Sequence, residues 1–368
     1  MADKVKIGII GVGQIGKHHV GNYKKVPAAE IVAVADVNEA EAKRVAAENN
    51  IPHVFTNFHD LLAMDEIVAA DVCLHNNFHA PVSVAALKAG KNVYCEKPMA
   101  GSYRDAKAMC DTAKRLGRKL SIQLSTLFSI ETKAAKRLIT EGQLGKIYYA
   151  KSSYYRRRGR PFVDGYGTAS FVQKKTASGG ALYDMGVYHI AQVLFLLGNP
   201  ALKTVSGSTY QETDMYEDRR KISGYDVEEL GIGLVRLAGG ITFFLEESWA
   251  IHLGGTDGSK IVGKKGGVQL TPFSYFSTVS DMNMNATFEL PPADTRWHAC
   301  IPNTDAYDSP QHHWVAALQG RVPLLPTAEI ALATMKISEG IYLSQRLGRE
   351  VTPKEIEKAS VSTAIKGL

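Results

Sequence analysis

Short apolar runs alternate with amphipathic stretches through the first third of the chain. Five runs with strand character come before residue 125: VKIGIIG, EIVAVAD, ADVCLHN, NVYCEKP and KLSIQLS. Helical spacing of apolar residues separates them, for example over 80–89 and 103–116, and glycines that suit a left-handed helix end follow at Gly90 and Gly117. Strands that alternate with helices in this way predict an α/β fold with a doubly wound parallel sheet.

Beyond about residue 145 the pattern becomes rich in strands. The segment EELGIGLVRLAGGITFFLEESWAIHL predicts two long strands joined by a tight turn at 238–240, and SKIVGKKGGVQLTPF predicts another hairpin. We expect a single helix over 180–197 to interrupt this half, and helices over 306–319 and 328–346 to close the chain. The change of pattern predicts two domains, a parallel-sheet domain over 1–125 and an α/β domain with an antiparallel sheet over 126–368.

The length of 368 residues agrees with two domains, because single hydrophobic cores stop growing at roughly 250–300 residues. Four scattered cysteines without a C-x-x-C pair indicate neither a disulfide framework nor a zinc site, so we expect no metal and a reducing, cytoplasmic location. No signal peptide is predicted, and no apolar run reaches the roughly 18–20 residues that span a membrane. The net charge of +6 is mild and does not require a nucleic-acid partner.

A glycine motif follows the first predicted strand and opens a helix. Gly11, Gly13 and Gly16 form GVGQIG, where glycine permits a tight turn, close approach to a pyrophosphate and close helix packing. The amides at the start of the helix, including those of Gln14 and Ile15, then face the phosphate charge. This context predicts a dinucleotide-binding domain.

The acid at the end of the second predicted strand selects between the two nicotinamide cofactors. Asp36 lies 20 residues after Gly16, where a carboxylate accepts hydrogen bonds from the adenosine ribose hydroxyls. The same charge repels a 2′-phosphate, and the following Val37 and Asn38 offer no arginine to hold one. We therefore predict NAD rather than NADP.

Two further motifs carry a family resemblance. The triplet Glu96, Lys97 and Pro98 ends the strand NVYCEKP, and the segment GGALYDMGVYHIAQVLFLLGNP comes later. With HNNFHAPVSVAALKAGKNVYCEKPMA, these motifs resemble the Gfo/Idh/MocA oxidoreductase family, including its inositol dehydrogenase and glucose-fructose oxidoreductase branches. The resemblance covers most of the chain and is much more specific for the family than for the substrate. It implies a Rossmann domain followed by an α/β domain with a large, open, mostly antiparallel sheet that often forms oligomer contacts.

The resemblance also implies roles for particular residues. Lys97 is expected to contact the reacting hydroxyl and the nicotinamide ribose, with Glu96 beside the cofactor. Asn76, Asn77 and His79 are expected near the cofactor at the end of the fourth strand. The family further implies that the loop with Arg156 and Arg158, together with Lys174, covers the substrate.

Hydride removal from an alcohol carbon requires that the hydroxyl proton leave as well, so an acid/base group is needed. Asp184 and Tyr188 are four residues apart and share a helix face. We assign proton transfer to Tyr188, with the Lys97 cation favouring its phenolate, and keep His189, rotated by about 100° around the helix, as the fallback. Asp184 is expected to grip a substrate hydroxyl or to orient Tyr188 and Lys97, because an exposed carboxylate matches an alcohol poorly.

Two other clusters have competing interpretations. SSYYRRRGRPF mixes arginines with tyrosines, which also suits nucleic acid, but the run is short and isolated, so we expect no nucleic-acid partner. His312 and its neighbour His313 project in different directions and do not suit one metal ion. We place His312 at the rim of the substrate pocket, with an ordinary helix start as the alternative.

Three functions stay open at this point. The first is an NAD(H)-dependent dehydrogenase or reductase of a sugar, cyclitol or glycoside. The second is an enzyme that retains NAD. It oxidises one carbon of its substrate, which permits elimination or hydrolysis, and then reduces that carbon again. The third is an NADH-binding sensor without chemistry. We expect a homodimer or homotetramer, because an exposed sheet face needs cover, and no membrane partner.

Overall fold

The parallel sheet of the first half is confirmed. The computed structural model describes residues 4–256 and 258–368. Six parallel strands lie in the order β3-β2-β1-β4-β5-β6, the arrangement that places a cleft where the winding reverses beside β1. The strands are β1 Val5–Ile10, β2 Ala29–Ala35, β3 His53–Phe55, β4 Ala69–Val72, β5 Asn92–Cys95 and β6 Leu120–Ile122.

Helices cover both faces of this sheet. They are α1 Gln14–Tyr23, α2 Glu39–Asn49, α3 Phe58–Leu62, α4 Asn76–Lys88 and α5 Tyr103–Leu116. The last has the predicted bounds, and α4 ends close to its predicted end but begins four residues earlier than 80. Gly90 and Gly117 have φ of 79° and 61°, as predicted for glycines after helix ends.

The second sheet has eight strands in the order β14-β13-β12-β11-β7-β10-β9-β8. The two predicted hairpins are confirmed, with the tight turn at Ala238–Gly240. Every pairing in the sheet is antiparallel except that of β7 with β10. The strands are β7 Ile147–Tyr155, β8 Leu202–Tyr210, β9 Leu230–Leu237, β10 Ile241–Ser248, β11 Lys260–Gly263, β12 Gly266–Leu270, β13 Phe273–Val279 and β14 Met282–Ala286.

The expectation of a single helix before the closing pair was wrong. The helices of this half are α6 Ile130–Thr140, α7 Lys174–Ala177, α8 Val187–Leu197, α9 Glu217–Ser223, α10 Leu290–Cys300, α11 Pro310–Leu318, α12 Thr327–Leu347 and α13 Pro353–Ala359. Several escape the sequence pattern because they are only four to seven residues long, or because two prolines open α10. The predicted 306–319 helix is split, since Ser309 caps α11 and follows a separate 3₁₀ turn at Thr304–Tyr307.

The predicted 180–197 helix begins with an irregular turn. Leu182–Gly186 is π-helical and leads directly into α8. A π turn widens the helix by one residue and therefore changes the direction in which its side chains project. The segment 174–197, which spans α7 to α8, is long and apolar enough to cross a membrane by composition, but most of it is buried inside the protein, as in a core helix.

Helix α12 joins the two sheets. It contacts β6 and α5 of the parallel sheet and also β8 and β9 of the second sheet. Ile341 packs directly on the strand glycines Gly207 and Gly233, where a side chain would leave no room for it. Trp314 and Val315 of α11 belong to the same core as β1. The C-terminal helices therefore complete the packing of both halves.

Candidate active site

The three glycines of the first loop have different surroundings. Gly11 has φ of 91°, and an added Cβ would lie 2.5 Å from the carbonyl oxygen of Cys73. A Cβ at Gly16 would lie 2.0 Å from the carbonyl oxygen of Gly11, so this glycine permits α1 to pack on the loop. A Cβ at Gly13 meets no atom of the described chain within 4 Å. The backbone at Gly13 is thus open to an approaching pyrophosphate, at the N-terminus of a helix where Gln14 and Ile15 are exposed.

Asp36 stands directly beside this loop. One carboxylate oxygen accepts the amide of Val12 at 2.8 Å, and the other accepts the amide of Asn38 at 2.9 Å. The carboxylate is therefore held at the end of β2, and each oxygen keeps a lone pair for a ribose hydroxyl. The loop, the helix start and this acid fit the adenosine and pyrophosphate of NAD.

Lys97 follows β5 and points across the cleft to the second half of the chain. Its Nζ donates to Asp184 Oδ1 at 2.9 Å and to the carbonyl oxygen of Asp184 at 3.1 Å, and it lies 4.8 Å from the centre of the Tyr188 ring. Burial by itself lowers the pKa of Lys97, but the charge of Asp184 and its hydrogen bond outweigh it and raise the pKa above the usual value. Lys97 is therefore an ammonium group at neutral pH.

Asp184 is more buried than predicted, with 23% of its side chain exposed. Its Oδ2 accepts the indole N–H of Trp249 at 2.9 Å while Oδ1 binds Lys97. Burial would raise the pKa of Asp184, yet Lys97 and the Trp249 hydrogen bond hold the pKa below its usual value. The group is therefore a carboxylate that holds the ammonium group of Lys97.

Tyr188 lies beside Lys97 as predicted, but the expected phenolate does not follow. The Lys97 charge does lower the pKa of Tyr188, whereas burial has the larger effect and raises the pKa above the usual value. Tyr188 is therefore a neutral phenol next to an ammonium group, and it can donate a proton.

A buried carboxylate, Glu228, anchors the start of the site helix, the run 182–197 that consists of the π-helical turn and α8. It accepts the amides of Gly180 and Leu182 at 2.8 and 3.0 Å, and the hydroxyl of Tyr342 at 2.9 Å. These bonds satisfy amides at the beginning of the helix that carries Asp184. A Cβ at Gly180 would lie 1.9 Å from the Glu228 carbonyl oxygen, so only glycine allows this approach.

His189 faces the same side of the cleft but has its own partners. Its Nδ1 donates to Glu247 Oε2 at 2.9 Å, and its ring stacks on Tyr154 with a centroid distance of 4.7 Å. Glu247 is fully buried and also accepts the hydroxyl of Ser152. Since Nδ1 is bonded, the free position of the imidazole is Nε2, and 19% of the side chain is exposed.

The arginine cluster divides into three environments. Arg156 donates to the hydroxyl of Tyr166 at 2.7 Å and is close enough to Asp184 to lower the pKa of that carboxyl. Arg158 is exposed and donates to the carbonyl oxygen of Asp214 at 3.4 Å. Arg160 is fully buried in ion pairs with Asp164 and Glu229. Of Arg156 and Arg158, only Arg156 thus lies close enough to the cluster of Lys97, Asp184 and Tyr188 to act on its charges.

Three residues that were predicted near the cofactor form hydrogen bonds to backbone carbonyl groups. Asn76 and Asn77 donate to the carbonyl oxygens of Ala177 and Lys175, at 2.7 and 2.6 Å. His79 is buried between the carbonyl oxygens of Pro98 and Leu74, at 2.7 and 2.9 Å. These three side chains therefore bind neighbouring backbone groups of the protein.

Lys174 and His312 have no described contact with Lys97. Lys174 lines a cavity of about 480 Å³ with Glu228, Tyr342 and Gln345, a set that does not include Lys97. His312 Nδ1 lies 2.9 Å from the hydroxyl of Ser309, the residue that caps α11. His312 therefore fits the alternative of an ordinary helix start.

Glu96 is directed inward and belongs to a network that the sequence did not predict. It lies 2.9 Å from Nε2 of His19, whose Nδ1 lies 2.8 Å from Asp71. Donor atoms of His19, Asp71 and Cys73 lie within 4.8 Å of one another and bond directly to each other. His19 lies three residues after Gly16, on the buried face of α1, a position that could have been read as core-facing.

This combination of a glycine loop, a ribose acid and a lysine at the end of β5 defines an NAD-binding oxidoreductase. Residues 5–124 match the oxidoreductase family with an NAD-binding Rossmann fold, and residues 132–269 match the GFO/IDH/MocA C-terminal domain. The chain therefore belongs to the Gfo/Idh/MocA family and is an NAD-dependent oxidoreductase.

Some of its relatives align along nearly the whole chain. D-glucoside 3-dehydrogenase of Escherichia coli is 27% identical over 94% of this chain and 97% of its own length. Inositol 2-dehydrogenase of Rubrobacter xylanophilus is 24% identical over 97% and 94% of the two chains. The crystal structure of aldose-aldose oxidoreductase from Caulobacter crescentus, 21% identical, superposes with a TM-score of 0.75 over 95% of this chain and 99% of its own, which shows the shared fold.

Alanine at Gly13 should separate cofactor binding from folding. The added methyl group has room, so thermal unfolding should match wild type, whereas affinity for NAD should fall by about tenfold because the methyl stands where the pyrophosphate approaches. Calorimetric titration with NAD and a thermal melt measure the two effects. Gly16→Ala is the control and should lower Tm, since its methyl group meets Gly11 at 2.0 Å. Unchanged NAD affinity in Gly13→Ala would contradict this account.

Proposed function

We propose that the protein is an NAD(H)-dependent oxidoreductase that transfers a hydride between nicotinamide and a hydroxyl carbon of a sugar, cyclitol or glycoside. The observation that carries the proposal is the contact of Lys97 with Asp184 and Tyr188 at the carboxyl end of β5. The proposal is supported by relatives whose names specify a glucoside and inositol. All of these substrates carry neighbouring secondary hydroxyl groups.

The residues of this cluster have complementary roles in such a reaction. Bound NAD supplies the hydride acceptor or donor. Lys97 places a positive charge where the substrate oxygen gains negative charge, and Asp184 keeps that ammonium group in place. Tyr188 in its neutral form gives a proton to the substrate oxygen during reduction; during oxidation it takes the hydroxyl proton as a phenolate, which the Lys97 charge stabilises.

A wall formed by Arg156, Tyr154 and Tyr166 beside α8 suits a polyhydroxylated ring. Arg156 lies over the rings of Tyr154 and Tyr166, at 5.9 and 5.6 Å from their centres. Aromatic faces contact the apolar side of a sugar ring, while a guanidinium group donates to adjacent hydroxyls or a carboxylate. We therefore place the substrate between this wall and Lys97.

Removal of the Lys97 or Tyr188 head group should abolish turnover while NAD still binds. We expect Lys97→Ala and Tyr188→Phe each to lower kcat by about 10²–10⁴-fold, the usual contribution of a positioned acid/base group. A panel of hexoses, inositols and glucosides assayed by NADH formation measures turnover, and calorimetry measures NAD binding.

The exposed Lys88→Ala and Tyr148→Phe variants are matched controls and should behave as wild type. Substantial activity in Lys97→Ala would show that the reaction does not require the Lys97 ammonium group. A wild-type protein that binds NADH but turns over no member of the panel would favour the sensor function instead.

A second candidate function, redox cycling with retained NAD, is favoured by the pair of His189 and Glu247. Oxidation at one ring carbon acidifies the C–H bond of its neighbour. His189 Nε2, with Nδ1 held by Glu247, can accept that proton, the electron pair of the C–H bond forms an enolate, and a leaving group at the next carbon departs. Hydride return from NADH then restores the alcohol, so the cofactor shows no net change.

The two candidates differ in how they depend on His189. If NAD is retained, glycoside is consumed without net NADH, and His189→Asn should lower that consumption by about 10²-fold or more while initial hydride transfer survives. Absorbance of NADH and chromatography of the sugar products follow the two steps in parallel. Stoichiometric NADH release that His189→Asn leaves unchanged would exclude the cycle, and the exposed His18→Asn provides the control.

We further propose that the open face of the second sheet joins subunits of a homodimer or homotetramer. Leu234 and Phe244 are paired across β9 and β10 on the face opposite the buried Val235 and Leu245, and Leu234 is 38% exposed. Phe276 of β13 is 40% exposed. Apolar side chains on a broad sheet face are typical of an association surface.

Leu234→Asp should therefore convert an oligomer into a smaller species in light scattering after gel filtration. Ile222→Asp, on the exposed side of α9, places the same charge elsewhere and should leave the mass unchanged. If the two variants have the same mass as wild type, the sheet face does not hold subunits together.

The cysteines support the proposal of a cytoplasmic location. All four are free thiols within the described chain, and Cys73 and Cys95 are buried. Free thiols persist where the compartment is reducing.

A further inference from the structure

A buried chain of charged groups connects the glycine-loop helix to Lys97. His19 of α1 is fully buried and lies between two carboxylates: its Nδ1 is 2.8 Å from Asp71 Oδ2, and its Nε2 is 2.9 Å from Glu96 Oε1. The second oxygen of Glu96 accepts the backbone amide of Lys97 at 2.9 Å. Three elements, α1, β4 and the end of β5, thus meet at one imidazole.

Both partners of His19 accept hydrogen bonds only, so both ring nitrogens must donate, and the ring is an imidazolium. Burial by itself lowers the pKa of His19, but the charge of Asp71 and its hydrogen bond more than offset it, and the pKa lies well above the usual value. One positive charge therefore lies between two negative ones in a site closed to water.

This charge has a consequence for Glu96. A carboxylate buried without a cation protonates and then loses half of its accepting capacity. Burial raises the pKa of Glu96, whereas the hydrogen bond and charge of His19 overcome that effect and hold the pKa below the usual value. Glu96 can therefore accept from His19 with one oxygen and from the Lys97 amide with the other.

We propose that His19 is a positioning residue for Lys97. Its imidazolium keeps Glu96 ionised and oriented, and Glu96 fixes the backbone of Lys97 at the end of β5, which sets where the ammonium group stands. His19 itself contacts neither substrate nor cofactor. The kcat measurements that test this proposal depend on the proposed function, whereas the hydrogen-exchange measurement does not.

Two substitutions at His19 isolate the link to Glu96. Gln places its amide nitrogen near the position of Nε2 and keeps the donor to Glu96, whereas Asn places it near Nδ1 and keeps only the donor to Asp71. We expect His19→Asn to lower kcat at least about tenfold more than His19→Gln, the size of a charge-assisted hydrogen bond, with the Kd for NAD changed less than about twofold. The neighbouring His18 is exposed, so His18→Asn serves as the control. Both variants lack the imidazolium charge, so both should lower kcat, and a wild-type kcat in His19→Asn would overturn the proposal.

A double-substitution cycle tests whether His19 acts through Glu96. In the Glu96→Gln background, His19→Asn should have little further effect on kcat, because the link is already broken. If the two losses multiply, His19 affects turnover by another route and the proposal is wrong.

Hydrogen exchange of the Lys97 amide tests the same link without any substrate. We expect the exchange rate, followed by mass spectrometry of the peptide that contains Lys97, to rise about tenfold or more in His19→Asn and to stay near wild type in His18→Asn. Should His19→Asn fail to fold, the exchange rate is measured in Glu96→Gln instead. It should rise there too, since the neutral amide is a weaker acceptor for the Lys97 N–H. An unchanged Lys97 rate contradicts the proposal. Faster exchange with no wild-type turnover of any polyol instead supports the link and rejects the proposed substrates.

Discussion

The ion pair between Lys97 and Asp184 is the interaction on which the site depends. It joins the end of a strand in the parallel sheet to a helix that packs on the other sheet, over 2.9 Å. Little water reaches the pair, so the attraction between its charges is strong and fixes both side chains. The same attraction keeps the lysine charged and the carboxylate ionised, and the charged lysine stands beside a neutral phenol.

The second half of the chain positions its side of this pair through one strand. Glu247 and Trp249 are two residues apart near the end of β10, and they bind His189 and Asp184 respectively. Alternation along a strand places such residues on the same face. The strand therefore sets the spacing of both groups on the site helix, while Glu228 fixes the π-helical turn at which that helix begins.

The regular secondary structure could be predicted from the sequence, and so could the site residues that belong to short sequence motifs. Alternating strands and helices predicted the parallel sheet, and the motifs predicted that Lys97, Asp184 and Tyr188 lie together. The partners His19, Glu247 and Trp249 could not be found this way, because each bonds to a residue far away in the sequence. The direction of Glu96 and the protonation of Tyr188 depend on burial, which a motif does not specify.

The place of Trp314 affects how the chain can be divided. Its indole is fully buried in the core around β1, although Trp314 follows the last strand of that sheet by almost two hundred residues in the sequence. A fragment that stops after β6 exposes the apolar surface that Trp314 covers, and α12 is missing from its other side. On the ribosome, the nucleotide-binding half reaches its final packing only when synthesis of the chain is nearly complete. Chimeras that exchange this half between relatives must therefore transfer the C-terminal helices with it.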